Sequence, residues 1–418
     1  MAVAFTRVIF IAAAVVFNGR ILAAQQRIPI PIRKVTMLAG SDSGVLANVD
    51  VIHAHSDGSV LVNDVMRHRL LLFDTTLKKY KIVADTAGDS PNNFGSSPAG
   101  LLLFTGDSTA FVDLASQALV IIDANGNFGR ITTPPKVFDM GTFSESIYGV
   151  PGFDARGHLY YRGGLRTNTI AAPPARDTII MYPDSVPIVR ANFETRRVDT
   201  IGIMRVPLLK TRLRIVQNRF SFTQIMNPLP VTDEWAYFAD GTVAIVRGQD
   251  YHIDWFLPDG SRRSTPKMPF DWRRLNDDEK KRMVDSVQHM IDSAYDAALA
   301  RFMDSNARQG RGATSPPTIQ KDEVVEPTAL PDYYPPVRFA SQMRVDLDGY
   351  LWILPTTSFQ AKGGSLFDVV NRAGEITERV QLPEGRILQG FRSGGIIYMS
   401  VPSAYGWPRI EKARIERR

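Results

Sequence analysis

One short phrase recurs along this chain. An apolar strand leads into a turn bearing Asp, Asn or Gly, a second apolar strand follows, and a third ends near Asp or Asn. It reads His55–Asp64 with Arg69–Thr76, then Thr105–Leu114 with Ala118–Gly126. It returns at Phe153–Gly163, at Phe238–Arg247 with Tyr251–Gly260, and at Val345–Leu354 with Leu366–Gly374. A degenerate last copy is Ser393–Val401. Side chains alternate across a strand with period two, so each copy is a small meander that must bury its apolar faces against neighbouring copies.

Meanders that repeat every ~40–50 residues predict an all-β, six-bladed β-propeller over residues 34–418. The turn positions Asp57, Asp107, Arg156, Asp240, Asp348 and Gly394 lie 50, 49, 84, 108 and 46 residues apart. The two long gaps must hold insertions. Residues 34–39 alternate as a lone strand ahead of the first copy, and the last copy is a strand short. The N-terminal strand is therefore expected to complete the last blade, which protects edges that an open sheet would expose.

The segments Thr167–Asn192 and Pro207–Pro230 are rich in Pro or Arg and read as extended loops. The larger insertion, residues 270–336, sits between blades four and five. Asn276-Asp277-Asp278-Glu279 offers an N-cap with an acid three residues on, the signature of a helix start. Val284, Val287, Ile291, Ala294, Tyr295, Ala298, Leu299 and Phe302 then recur every three or four residues, which predicts one amphipathic helix to about Asn306. The Pro-rich run 311–336 reads as a flexible or extended linker, too polar to bury a core.

The first 24 residues read as an export signal. Arg7 supplies the charge, Val8–Phe17 the apolar stretch, and Leu22-Ala23-Ala24 the exit before Gln25. Ten apolar residues fall short of the ~20 that a membrane-spanning helix needs. A soluble extracytoplasmic protein, periplasmic or secreted, is expected, touching a membrane only through this segment if it is retained. Removing residues 1–24, which carry Arg7 and Arg20 and no acid, lowers the net charge from +6 to +4. Acids and bases interleave through the strands, so no nucleic-acid partner is expected. With no cysteine, thiolate metal sites, thiol nucleophiles and disulfides are excluded.

In the first copy, Asp64-Val65-Met66-Arg67-His68-Arg69 followed by an apolar strand resembles the NHL repeat, with Arg67 standing where that pattern has Asn. The second copy, Asp113 to Asp123, keeps the frame but has Ala118 at the Arg position. The resemblance implies a six-bladed propeller and leaves activity open, since that class includes lactonases, lyases and pure binding modules.

Aligning copies on their turns puts His53 opposite Arg344, and His55 opposite Asp154 and Asp346. Residues two apart on a strand face the same way, so His53 and His55 form a His-x-His pair that suits zinc, manganese or calcium if carboxylates converge on it. The competing reading makes all five a polar channel lining, with Asp154 and Asp346 as turn-forming Asp residues bonded to backbone amides two positions on. Trp235, Trp255, Trp272, Trp352 and Trp407 offer faces for sugar rings, although Trp255 and Trp352 alternate with apolar neighbours as core residues do. The innermost strands otherwise offer Leu103, Gly152 and Ala236, which favours binding over catalysis. The expectation is thus an exported binding or scaffold module for a protein, peptide or glycan, without cofactor. A metal-dependent hydrolase of the lactonase type is the alternative.

Overall fold

The computed structural model describes residues 29–49, 51–86, 100–114, 116–144, 149–164, 177–216, 219–308, 321–341, 343–358 and 361–416. The export segment lies outside these residues. Within them the chain is mostly β and propeller-like, arranged as seven sheets.

Six of these sheets are antiparallel meanders that follow the sequence copies. Sheet one holds Ile52–Ala54, Val60–Asp64, Arg69–Phe73 and Tyr80–Ala84, and sheet two Gly100–Leu103, Thr109–Asp113, Ala118–Ile122 and Phe128–Thr132. Sheet three holds Gly152–Phe153, Leu159–Arg162, Ser185–Ala191 and Val198–Arg205, and sheet four Glu234–Tyr237, Val243–Arg247, His252–Phe256 and Arg262–Ser264. Sheet five runs Arg344–Val345, Leu351–Ile353, Leu366–Val370 and Ile376–Gln381. Sheet six has Ile387–Arg392, Ile396–Val401 and Arg409–Ile415, and its fourth strand is the N-terminal Val35–Gly40, paired from Val35↔Ile415 to Gly40↔Glu411. Just before it, Ile32–Arg33 lies parallel to the outer strand of sheet five.

Alternation puts apolar side chains on both faces of these strands, and each face meets the next sheet. Leu61 and Leu70 pack with Leu101 and Phe111, joining sheets one and two. Equivalent clusters join two to three, three to four, four to five and five to six. A further cluster, containing Tyr398, Ile410, Val60 and Phe73, joins sheet six back to sheet one. Trp235, Trp255 and Trp352 are fully buried in these seams, whereas Trp272 and Trp407 are exposed.

The seventh sheet is not a sequence copy. It orders Thr178–Met181, Lys210–Val216, Arg219–Met226 and Glu323–Val324. Its strands come from three separate insertions: within sheet three, between sheets three and four, and between sheets four and five. In a four-stranded meander the second strand ends, the third begins and the fourth ends on one side, so all three insertions emerge on the same face. The two segments expected as extended loops therefore contain paired strands, because Lys210–Val216 and Arg219–Met226 bond each other along their whole length. Residues 167–176 lie outside the described residues.

The helix spans Asp277–Arg308. Its start is a reciprocal cap: the Asn276 side chain accepts the Glu279 N–H (2.9 Å), and Glu279 accepts the Asn276 N–H (3.1 Å). Asn276→Ala is expected to cost about 1 kcal/mol in urea unfolding, and no change in midpoint would show the cap to be idle. Part of the Pro-rich run does bury a core, contrary to the composition-based reading. Val325 and Leu330 pack with Leu229 and Leu275, against Met283 and Val284 of the helix. Lys280 fixes the same run through Asp332 at 2.7 Å. The four prolines within residues 321–336 do not prevent burial when flanking apolar residues have a helix to meet. Residues 309–320 lie outside the described residues.

Candidate functional site

His53 and His55 both stand on the innermost strand side of sheet one and turn toward sheet two. His53 is buried, its Nδ1 against Thr109 Oγ1 of sheet two. His55 is also buried, with Nδ1 at 2.9 Å from Ser59 Oγ and Nε2 without a hydrogen bond. The two rings meet edge to face at 5.0 Å.

Asp154 lies in the seam between sheets three and four. Its Oδ1 accepts the N–H groups of Arg156 and His158, each at 2.9 Å, while Oδ2 meets His158 Nδ1 at 3.0 Å and the Tyr160 hydroxyl at 3.3 Å. Asp346 repeats this arrangement between sheets five and six, accepting the N–H groups of Asp348 (3.0 Å) and Tyr350 (2.8 Å) and Trp352 Nε1–H (3.0 Å). Burial pushes its carboxyl up, opposed by these donors. Arg344, half-buried, donates to Gln389 Oε1 at 3.5 Å, and Gln389 in turn donates to Ser400.

Aligned positions of a rotational repeat are equivalent rather than convergent. Each of these side chains faces the sheet that follows its own, so the five residues occupy three different seams. Among the described residues, no group of three His, Asp or Glu side chains is placed to hold a metal ion. One alignment shifts by a residue. The Phe104 N–H bonds Ser108 O as His55 bonds Ser59, so Leu102, not Leu103, is the counterpart of His53.

The burial of His53 has a consequence for acid stability. Desolvation chiefly, with His55 adding like charge, lowers its pKa from 6.5 to about 3. An unfolded histidine binds its proton near pH 6.5, so the His53 contribution is complete above that pH and is lost as pH falls toward 3. His53→Gln is expected to flatten the stability profile across this window by roughly 3–5 kcal/mol, read from urea midpoints at successive pH values. An unchanged slope would contradict a buried neutral His53.

A second polar cluster lies on the face that carries the insertions. Glu234 opens the innermost strand of sheet four and is buried. It accepts the N–H groups of Met343 and Ala340, and Arg162 and Arg338 bring positive charge near it. Desolvation nevertheless dominates and pushes its carboxyl up to about 8, so it is mostly protonated at neutral pH. Its Oε2 and the hydroxyl of buried Thr232 make no hydrogen bond. Both residues line a small pocket of about 10 Å³ together with Arg162, Trp235 and Phe339.

That pocket shares Met204, Arg205 and Asp233 with a groove of about 470 Å³ between sheets three and four. Arg247 stands in the groove wall, donating to Asp233 and Asp254, each at 2.7 Å, and to Ile203 O at 2.9 Å. His252 sits between Asp250 (2.6 Å) and Asp254 (3.3 Å). Gln249 completes this side. Of the residues of pocket and groove, the sequence singles out Trp235 alone, as a face for sugar rings. The one available sign of the others is the acid pair Asp233-Glu234 standing directly before the apolar run Trp235–Phe238.

No family model matches this chain, and no curated protein does. Among solved structures it is similar to a Bacteroides vulgatus member of the DUF4221 family, with TM-score 0.44, 8% identity and coverage of 92% of this chain and 98% of that one. A Xanthomonas campestris gluconolactonase gives TM-score 0.39, 9% identity and coverage of 92% and 100%. A calcium-binding protein, regucalcin, from Agrobacterium tumefaciens gives 0.34, 10%, 92% and 96%.

Proposed function

We propose that this protein is an exported binding module: a six-bladed, NHL-like propeller whose insertions dress one face as a recognition surface. The six meandering sheets are its blades, closed by the N-terminal strand, and residues 1–24 direct export. The carrying observation is that three insertions, distant in sequence, emerge on one face and share a sheet. Loops held by a rigid scaffold are where binding residues concentrate, and the groove beside them has the volume of a small-ligand site. The separation of His53, His55, Asp154, Arg344 and Asp346 into three seams supports binding rather than metal-assisted hydrolysis, which needs ligands gathered around one open coordination position.

The test is the metal content of the protein purified from its exported pool. The expected result is no stoichiometric zinc, manganese or calcium. One ion per chain that disappears in the His53→Ala/His55→Ala double variant would overturn the reading. N-terminal sequencing of the same material is expected to begin near Gln25, and material beginning at Met1 would mean a retained segment.

A further inference from the structure

Buried polar atoms without partners need an explanation, since leaving one unsatisfied costs about 1–3 kcal/mol. Glu234 Oε2 and Thr232 Oγ1 are two such atoms, and both border one small pocket. Its volume of about 10 Å³ admits a single oxygen-sized group. Thr232 both donates and accepts, while the carboxyl donates when protonated and accepts when ionised. A hydroxyl oxygen donates and accepts at one atom, so it satisfies both neighbours in either state. A carbonyl only accepts and an ammonium only donates.

The adjoining groove narrows the class further. Its lining interleaves Arg205 and Arg247 with Asp184, Asp233 and Asp250, so positive and negative charges nearly cancel. Much of that charge is already committed: Arg247 to two carboxylates, Asp233 to Arg247 and to the N–H groups of Arg205 and Gly248. A strongly charged ligand gains little there. A neutral ligand that presents alternating donors and acceptors matches fixed, paired side chains of this kind.

Resting on the binding-module reading, we propose that pocket and groove form one recognition site for a saccharide, with one sugar hydroxyl entering the pocket to bond Thr232 Oγ1 and Glu234 Oε2. Phe339, partly exposed at the pocket wall, supplies apolar surface for a ring face. Arg205, Gln249 and His252 meet the remaining hydroxyls along the groove.

The test is a titration of the purified chain with neutral monosaccharides, disaccharides and soluble polysaccharides, followed by calorimetry and ligand-observed NMR. At least one sugar is expected to bind. A monosaccharide that binds alone points to a free sugar, and a preference for polymers points to a glycan chain. Thr232→Val, which keeps the shape and removes the unsatisfied hydroxyl, is expected to weaken binding at least tenfold while the melting temperature of the free protein stays equal or rises. Gln249→Ala, on the exposed groove wall, provides a second variant with little risk to folding and is expected to weaken binding several-fold. Arg263→Ala, remote from the groove, is expected to leave it unchanged. The proposal is overturned if no sugar binds at about 10 mM, a level weaker than ordinary ligand affinities, or if affinity ignores both Thr232→Val and Gln249→Ala. Failure of these titrations with no metal in the protein would leave the binding-module reading standing, whereas a stoichiometric metal would remove that reading itself.

Discussion

A chain that begins at Ser41 is expected to lose about 5 kcal/mol of stability, a large part of what a folded domain holds. Val35–Gly40 contributes little by burial, since Met37 and Leu38 are 42% and 45% exposed. Its weight lies in the ladder. Five register positions pair with the third strand of sheet six, Thr36 Oγ1 donates to Glu416 at 2.6 Å, and the Glu416 N–H bonds Lys34 O. Each net backbone bond is worth about 1 kcal/mol, and its loss leaves Arg409–Ile415 as an unprotected edge. The same cut removes Ile32–Arg33 from sheet five together with the Arg33–Glu378 ion pair. Urea unfolding measures the loss. A peptide of residues 29–40 added in trans is expected to restore part of it by strand addition. An unchanged midpoint in the truncated chain would show that this strand does not close the ring.

Asp64→Ala is expected to cost about 3–5 kcal/mol, well beyond the ~1 kcal/mol of an ordinary substitution. The Asp64 carboxylate is fully buried. It accepts the N–H groups of Ala47 (3.2 Å) and Asn48 (3.1 Å) and pairs with Arg69 at 3.3 Å. Arg67 and Arg69 in turn donate to Val45 O at 2.7 and 3.0 Å. Asp64, Arg67 and Arg69 of the first copy thus clamp the loop that carries the chain from Val35–Gly40 toward sheet one. Removing the carboxylate strands Arg69 and two amides away from water. Asp64→Asn keeps the shape and one acceptor, so its expected loss is smaller, about 1–2 kcal/mol. A loss in Asp64→Asn as large as in Asp64→Ala would assign the whole effect to the charge and none to the retained acceptor.

The sheets were legible because period-two alternation and Asp–Gly turns act locally. Asp57, Asp240 and Asp259 each accept the N–H two residues on, so the turn is written in the residues that make it. The helix start was legible for the same reason, with Asn276 and Glu279 three positions apart. The insertion hairpin was not. Lys210–Val216 also alternates, but its apolar positions are few, its Arg residues face Glu323 at 3.0 Å across the sheet, and that partner lies over 100 residues away. The polar cluster around Glu234 was hidden more deeply. Arg162, Thr232 and Glu234 belong to different strands and connections, and only packing of sheets three and four brings them to one pocket. Alignment by repeats did find five polar positions, but rotational equivalence sends each to its own seam.

As a binding module, the proposed role, this protein recognises a ligand without transforming it. The most direct measurement is turnover of a panel of sugar lactones and simple esters by the purified protein, with zinc, manganese or calcium supplied in turn. The predicted result is a rate equal to that of buffer with the same metal. Metal-dependent hydrolysis that vanishes in the His53→Ala/His55→Ala variant would contradict it.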